Sequence, residues 1–191
     1  MSATERPHTG RKRNELVRSA ILDGALRLLA GAEGGAVTVD AIAREAGVGK
    51  QTIYRWWPSK GAVLLDALTD RAEESVPPPD SGSLGADLAA VVTATFAAAQ
   101  HPQTAPALRT LVREAANDPQ LAELMQEFTG ARRAALQQVL ARGRERGELP
   151  DDADLDLIVD QVYGVFWYRF LLGHAPLTRD VAERLARGLV G

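Results

Sequence analysis

Apolar residues recur at helical spacing along most of the chain. Val17, Ile21, Ala25 and Leu28 mark one face, widened by Leu22, Leu26 and Leu29, and predict a helix over 14–30. Gly31, Gly34 and Gly35 end it. Val39, Ile42, Ala43 and Ala46 then recur at i, i+3, i+4 and i+7, which predicts a short helix. Thr38 is suited to cap it, and Gly47 to close it in the left-handed conformation. After Gly49 a second short helix, 50–57, carries Ile53 and Trp57 inward, and Pro58 stops it. Ser59 caps a fourth helix, from Lys60 to about Ser75, with Val63, Leu64 and Leu68 inward.

The clearest break is Val76-Pro-Pro-Pro-Asp-Ser-Gly82, because three consecutive prolines cannot continue a helix. Beyond it five more helices are expected, over 84–100, 104–116, 119–146, 153–172 and 178–190. The expected architecture is all-α, with a three-helix head followed by a helical bundle. Its divisions are a disordered basic arm over 1–13, a head with its connecting helix over 14–75, a linker over 76–82 and a second domain over 83–191. Arg142, Arg144 and Arg146 read as solvated charges that complement a helix C-terminus.

Composition narrows the classes. The 191 residues are 46% hydrophobic but only 5% aromatic, which favours helices, and there is no Cys. Disulfides, thiolate zinc sites and cysteine nucleophiles are therefore excluded. No apolar run reaches the ~20 residues of a membrane span, and the polar N-terminus has no signal-peptide core, so a cytoplasmic location is expected. Net charge is −3, unevenly spread: residues 1–60 hold 10 Lys and Arg against 6 Asp and Glu, and the remainder 12 against 19. A basic head on an acidic body suits a phosphate-binding module joined to a different one.

The candidate chemistry lies in residues 50–57. With Ile53 and Trp57 turned inward, Lys50, Gln51, Thr52, Tyr54 and Arg55 face out, a dense set of donors with no acid among them. Such a face suits the major groove, where long polar side chains reach base edges and cations meet phosphates. Two helices around a glycine turn form a helix-turn-helix, and its second helix is the reader. From pattern alone, a solvated helical hairpin explains the stretch equally well.

The strings TVDAIAREAGV, IYRWW and SKGAVLL resemble the N-terminal domain of the TetR family of transcriptional repressors, without gaps from about Leu16 to about Leu68. Gly49 stands where family members often have Ser or Thr, and Trp57 where Phe is frequent. The resemblance implies a DNA contact set of Thr38, Lys50, Gln51, Thr52, Tyr54, Arg55 and Lys60. Gln51 and Lys50 are expected to read bases; Tyr54, Thr38 and Lys60 are expected to meet phosphates. Trp56 is compatible with lying along the DNA backbone and with a structural role. The stretch from Arg146 to Val190 resembles the C-terminal regulatory domain of a TetR subgroup, implying a dimerising, ligand-sensing half.

Two further groups follow. The helices over 153–172 and 178–190 either close the protomer core or pair with their symmetry copies. The first is apolar nearly all round, which favours a homodimer through Leu155, Ile158, Val162, Phe166, Val181, Leu185 and Leu189, with Gly164 allowing close approach. Phe96, Met125, Phe128, Tyr163, Trp167 and Phe170 are candidates for an effector pocket, though such residues are also ordinary core. No catalytic motif is present, and neither His101 nor His174 has partners at metal-ligand spacing, so no cofactor is expected. The expected function is a sequence-specific DNA-binding repressor on a palindromic operator, released by a small molecule. The alternative is a helical ligand-binding or partner-binding protein, or an enzyme, that keeps the fold without operator binding.

Overall fold

Two capping hydroxyls and a glycine turn set the order of the first helices. In the computed structural model, which describes residues 9–31, 37–73 and 79–190, helix α1 spans Thr9–Gly31 and α2 spans Val39–Glu45. The Thr38 hydroxyl accepts from the Ala41 N–H at 3.2 Å and starts α2. Gly47, at φ 66°, turns the chain so that the Val48 N–H returns to the Ala43 carbonyl at 2.9 Å. Helix α3 is Lys50–Tyr54 and α4 is Lys60–Glu73, capped by the Ser59 hydroxyl on the Ala62 N–H. The reading helix is therefore shorter than expected. Pro58 lacks an N–H and pushes the residue before it out of helical geometry, so Arg55 and Trp56 form a turn and Trp57 lies beyond it.

Helix α1 begins five residues earlier than the apolar stripe predicts, so residues 9–13 of the expected disordered arm are helical. Arg and Lys are good helix formers, and a stripe marks only the part of a helix that packs. Residues 1–8 of that arm, and 74–78 around the expected linker, lie outside the described residues.

The second half contains α5 (Leu84–Gln100), α6 (Thr104–Ala115), α7 (Pro119–Glu145), α8 (Leu155–Leu172) and α9 (Arg179–Val190). Helix α5 packs against α9, α7 and α6, and α8 lies on α7. Helix α8 starts at Leu155 because the Asp154 carboxylate takes the Leu157 N–H at 3.0 Å. The head rests on this half through α4, which packs against α6 and α7. A Cβ added at Gly61 would stand 2.7 Å from Leu121, so the first turn of α4 seats on the start of α7 at glycine distance.

Two of the three arginines at the end of α7, Arg142 and Arg146, are not simply solvated. Arg142 Nη2 donates to the Pro79 carbonyl at 2.9 Å, and Arg146 pairs with Glu148 at 2.6 Å and Asp80 at 3.5 Å. Glu148 accepts in turn from the Leu84 N–H at 2.6 Å. Asp87, 1% exposed, accepts from the Ser81 hydroxyl and N–H. Residues 79–87 are thus strapped to the end of α7, by acceptors that helical periodicity does not reveal.

Candidate DNA-binding site

Helix α3 is too short to hold itself in place, and its neighbours do so. Ile53 is fully buried, and Trp57 is nearly so. A buried indole N–H needs a partner, and Trp57 Nε1 donates to Asp66 Oδ2 on α4 at 2.8 Å. The other Asp66 oxygen accepts from Arg18 of α1 at 2.8 Å, and Arg18 also donates to Asp70 at 2.8 Å. The Asp70 hydrogen bond, with Asp66 beside it, raises the Arg18 pKa against the opposing effect of burial. This Arg18–Asp66–Trp57 link ties α1 and α4 to the segment that follows α3, behind the reading surface. The inward Trp57 was legible in the sequence; its carboxylate partner on another helix was not.

The surface this anchor presents keeps most of the expected set together. Lys50, Gln51, Tyr54 and Arg55 are exposed, and Thr52 is half-buried. Tyr54 is 53% exposed, unusual for a large aromatic residue beside a packed core. The Arg55 guanidinium lies 5.3 Å from the centre of the Trp56 ring, which is itself half-buried and edge-on to Trp57. Thr38, at the start of α2, uses its hydroxyl oxygen as a cap and retains a proton to donate.

Two expectations about this surface change. Helix α3 itself carries no acid, but Asp40 of α2 does face it, with Oδ1 2.5 Å from Lys50 Nζ. Lys60 does not point outward: its Nζ lies 2.6 Å from Glu114 of α6, and its side chain is 22% exposed. Its place as the first residue of α4 was legible; the carboxylate on a distant helix that captures it was not.

In the second half, the expected effector residues fill one another's space. Phe96 stacks on Phe166, and Phe166 stacks on Phe170 at 5.7 Å, with Trp167 edge-on to both Phe166 and Phe170. The Tyr163 hydroxyl donates to the Arg132 carbonyl at 3.2 Å; burial raises the phenol pKa, against the pull of Arg132 and Arg133. Met125 and Phe128 are half-buried beside this core. The described surface does carry two cavities, of about 580 and 560 Å³, and none of the six residues lines either one. The first lies along α7 and α8, by Gln137, Arg144 and Asp154. The second lies between α1, α4 and α5, by Ser19, Asp70, Arg71 and His101.

The expected dimer residues divide. Val162 and Phe166 are buried within the protomer and cannot meet a partner. Leu155, Ile158, Val181, Leu185 and Leu189 are half-buried. The exposed stripe of α8 is instead Leu157, Gly164, Tyr168, Leu171 and Leu172, all on one helical face. Nothing stands within 4 Å of a Cβ built at Gly164. A helix apolar all round offers several stripes, and periodicity does not choose among them; Gly164 was the signal that marked the outer one.

Residues 78–189 match the family described as Tetracyclin repressor-like, C-terminal domain, and residues 21–67 match that described as Bacterial regulatory proteins, tetR family. The chain belongs to the TetR family of transcriptional regulators. It is 35% identical to the HTH-type transcriptional regulator YdeS of Bacillus subtilis, over 85% of this chain and 82% of that one. It is 31% identical to the HTH-type transcriptional regulator AqdR of Rhodococcus erythropolis, over 82% and 76%. The crystal structure of the TetR family transcription regulator SCO0332 superposes with a TM-score of 0.77, at 31% identity, over 91% of this chain and 96% of that one. The protein is thus a DNA-binding transcriptional regulator of the TetR kind, a family that binds DNA without catalysis and typically dimerises. Among the described residues, no helix is long and apolar enough to cross a membrane. The TetR resemblance also marks Gly49 as a departure: it caps α3 with backbone alone, so no hydroxyl is offered there.

Proposed function

We propose that this TetR-family protein is a cytoplasmic repressor that binds a palindromic operator as a homodimer and leaves it when a small molecule binds. The observation that carries the DNA reading is the outer face of α3, where Gln51, Tyr54 and Arg55 stand exposed over a buried Ile53 and Trp57 anchor. Gln51 and Lys50 read base edges. Tyr54 and Thr38 contact phosphates, Thr52 and Arg55 complete the surface, and Lys60 joins the phosphate contacts only after leaving Glu114. Two such heads place their reading helices in successive major grooves, about one helical turn apart.

The dimer is proposed through the α8 stripe of Leu157, Gly164, Tyr168 and Leu172, together with the half-buried Val181, Leu185 and Leu189 of α9. The effector is proposed to enter between α7 and α8, where Met125, Phe128, Tyr163 and Trp167 are only half-buried. The Arg132 Nε buried there has no hydrogen-bond partner, which favours an amphipathic anion. FadR of Bacillus subtilis, which shares the fold at 20% identity and a TM-score of 0.63, was solved in complex with stearoyl-CoA. Entry requires the aromatic stack to part, so binding and rearrangement are linked.

The test is selection of duplexes from a random pool by the purified full-length protein, followed by gel shifts at increasing salt. A palindromic sequence should emerge, bound with steep salt dependence. A pool that stays random sinks this reading and leaves a TetR-like fold working without an operator.

A further inference from the structure

Helices α2 and α3 meet in an ion pair on the surface that the proposed reading turns toward DNA. Asp40 stands in the first turn of α2, and Lys50 opens α3. Lys50 Nζ lies 2.5 Å from Asp40 Oδ1, and both side chains are about half exposed. A carboxylate in a first helical turn has an ordinary reason, since it suits the positive end of the helix dipole. That reason is indifferent to Lys50. Nearby, Glu45 is taken by Arg27 at 3.0 Å, and Arg55 lies over Trp56. Asp40 is thus an acid on the reading surface, and the cation it holds is one of the two proposed base readers.

An anion beside phosphates repels every duplex alike, while a loose lysine is attracted to every duplex alike. Pairing the two removes both tendencies from non-specific encounters. We propose that Asp40 is a positioning residue that sets how strongly Lys50 engages DNA: it holds Lys50 across the α2–α3 turn, and Lys50 leaves it for a base edge that presents acceptors in the groove. Guanine, with O6 and N7, is the base whose edge fits a released ammonium. The pair is thus a built-in competitor that lowers affinity wherever Lys50 must leave it, while the preference among bases comes from the hydrogen bonds that Lys50 makes there. This rests on the reading that α3 enters the groove.

The probes are the duplex that wild-type protein selects from a random pool and a scrambled duplex of the same length and composition. Asp40→Asn keeps the side-chain shape and removes the charge. Its affinity for the scrambled duplex should rise about fivefold, with a salt slope steeper by about one, as expected for one more phosphate contact. Affinity for the selected duplex should rise by at least as large a factor, because there the wild-type lysine must give up its Asp40 pair to reach the base. The gain should vanish in the double variant Asp40→Asn, Lys50→Met. Lys50→Met alone should lose preference at one guanine and weaken scrambled binding, because it leaves the Asp40 carboxylate unpaired beside the phosphates. A merely structural Asp40 would leave the salt slope unmoved. Unchanged slope and affinity in Asp40→Asn, or a gain that persists without Lys50, overturns the proposal while the groove reading stands. A wild-type protein that selects no sequence overturns both.

Discussion

Two groups of cations in this molecule look alike on paper and behave differently in the fold. Lys50 and Arg55 flank the reading helix; Arg142, Arg144 and Arg146 crowd the end of α7. By charge density alone, the second group is the better candidate for phosphate. Yet Arg142 and Arg146 find acceptors in Pro79, Asp80 and Glu148, whereas Arg55 lies over the face of Trp56. Basic residues met by oxygens from distant segments are stitching; Arg55 stays exposed on the ring of Trp56, and Lys50 keeps its Asp40 partner at a half-exposed surface. Lys60 falls between, an expected phosphate contact now held by Glu114.

Several changes test that contrast, beginning with the largest effect. Ile53→Ala removes the fully buried side chain beneath α3. It should cost about 2–5 kcal/mol by thermal unfolding and abolish selective DNA binding, because the outer face loses its support. Asp87→Asn acts on the other group. It should cost about 1–3 kcal/mol in urea unfolding and leave the salt slope of DNA binding unchanged.

Acid should act in the same direction as Asp87→Asn. Burial alone raises the Asp87 pKa, but the Ser81 hydroxyl and N–H, with Arg146 and Arg142, outweigh it, and the carboxyl ends below its ordinary value. A depressed folded-state pKa stabilises above the unfolded value and loses that contribution as pH falls through the folded one. Asp87 should therefore contribute nothing to pH dependence above about pH 5, and its contribution should drain away below about pH 4. Acid unfolding curves of wild type and Asp87→Asn should converge there.

Smaller effects sharpen the comparison. Gln51→Ala should relax preference at one base pair by about 1–3 kcal/mol while other positions hold; equal losses on selected and scrambled duplexes would refute its role as a reader. Arg55→Gln should flatten the salt slope by about one, and Arg142→Gln should not move it. Freeing Lys60 with Glu114→Gln should change stability by no more than about 1 kcal/mol. It should strengthen DNA binding, measured on the same two duplexes.

The head was the more legible half, for a physical reason. Thr38, Gly47, Ser59 and Pro58 act through backbone chemistry within four residues, so their effects can be read locally. The donors of α3 were legible too, because one buried side chain every turn leaves the rest outside. The second half was legible as helices and not as surfaces. Its Ala-rich and Leu-rich stripes predicted α5 through α9 closely, but could not say that Phe166 faces Phe96 or that Tyr168 faces out.

From the sequence alone came the nine helical segments, the glycine turn, the basic head and the side of α3 that is free to touch a partner. All of these depend on spacing along one helix or on a residue's own backbone preference. Only the tertiary structure decided where the charges were satisfied. Asp40 beside Lys50, Glu114 beside Lys60, Asp66 beneath Trp57 and the oxygens around Arg142 each come from a different segment of the chain from the group they meet. Such pairs depend on how helices are brought together, and a short-range pattern of apolar and polar residues carries no record of that.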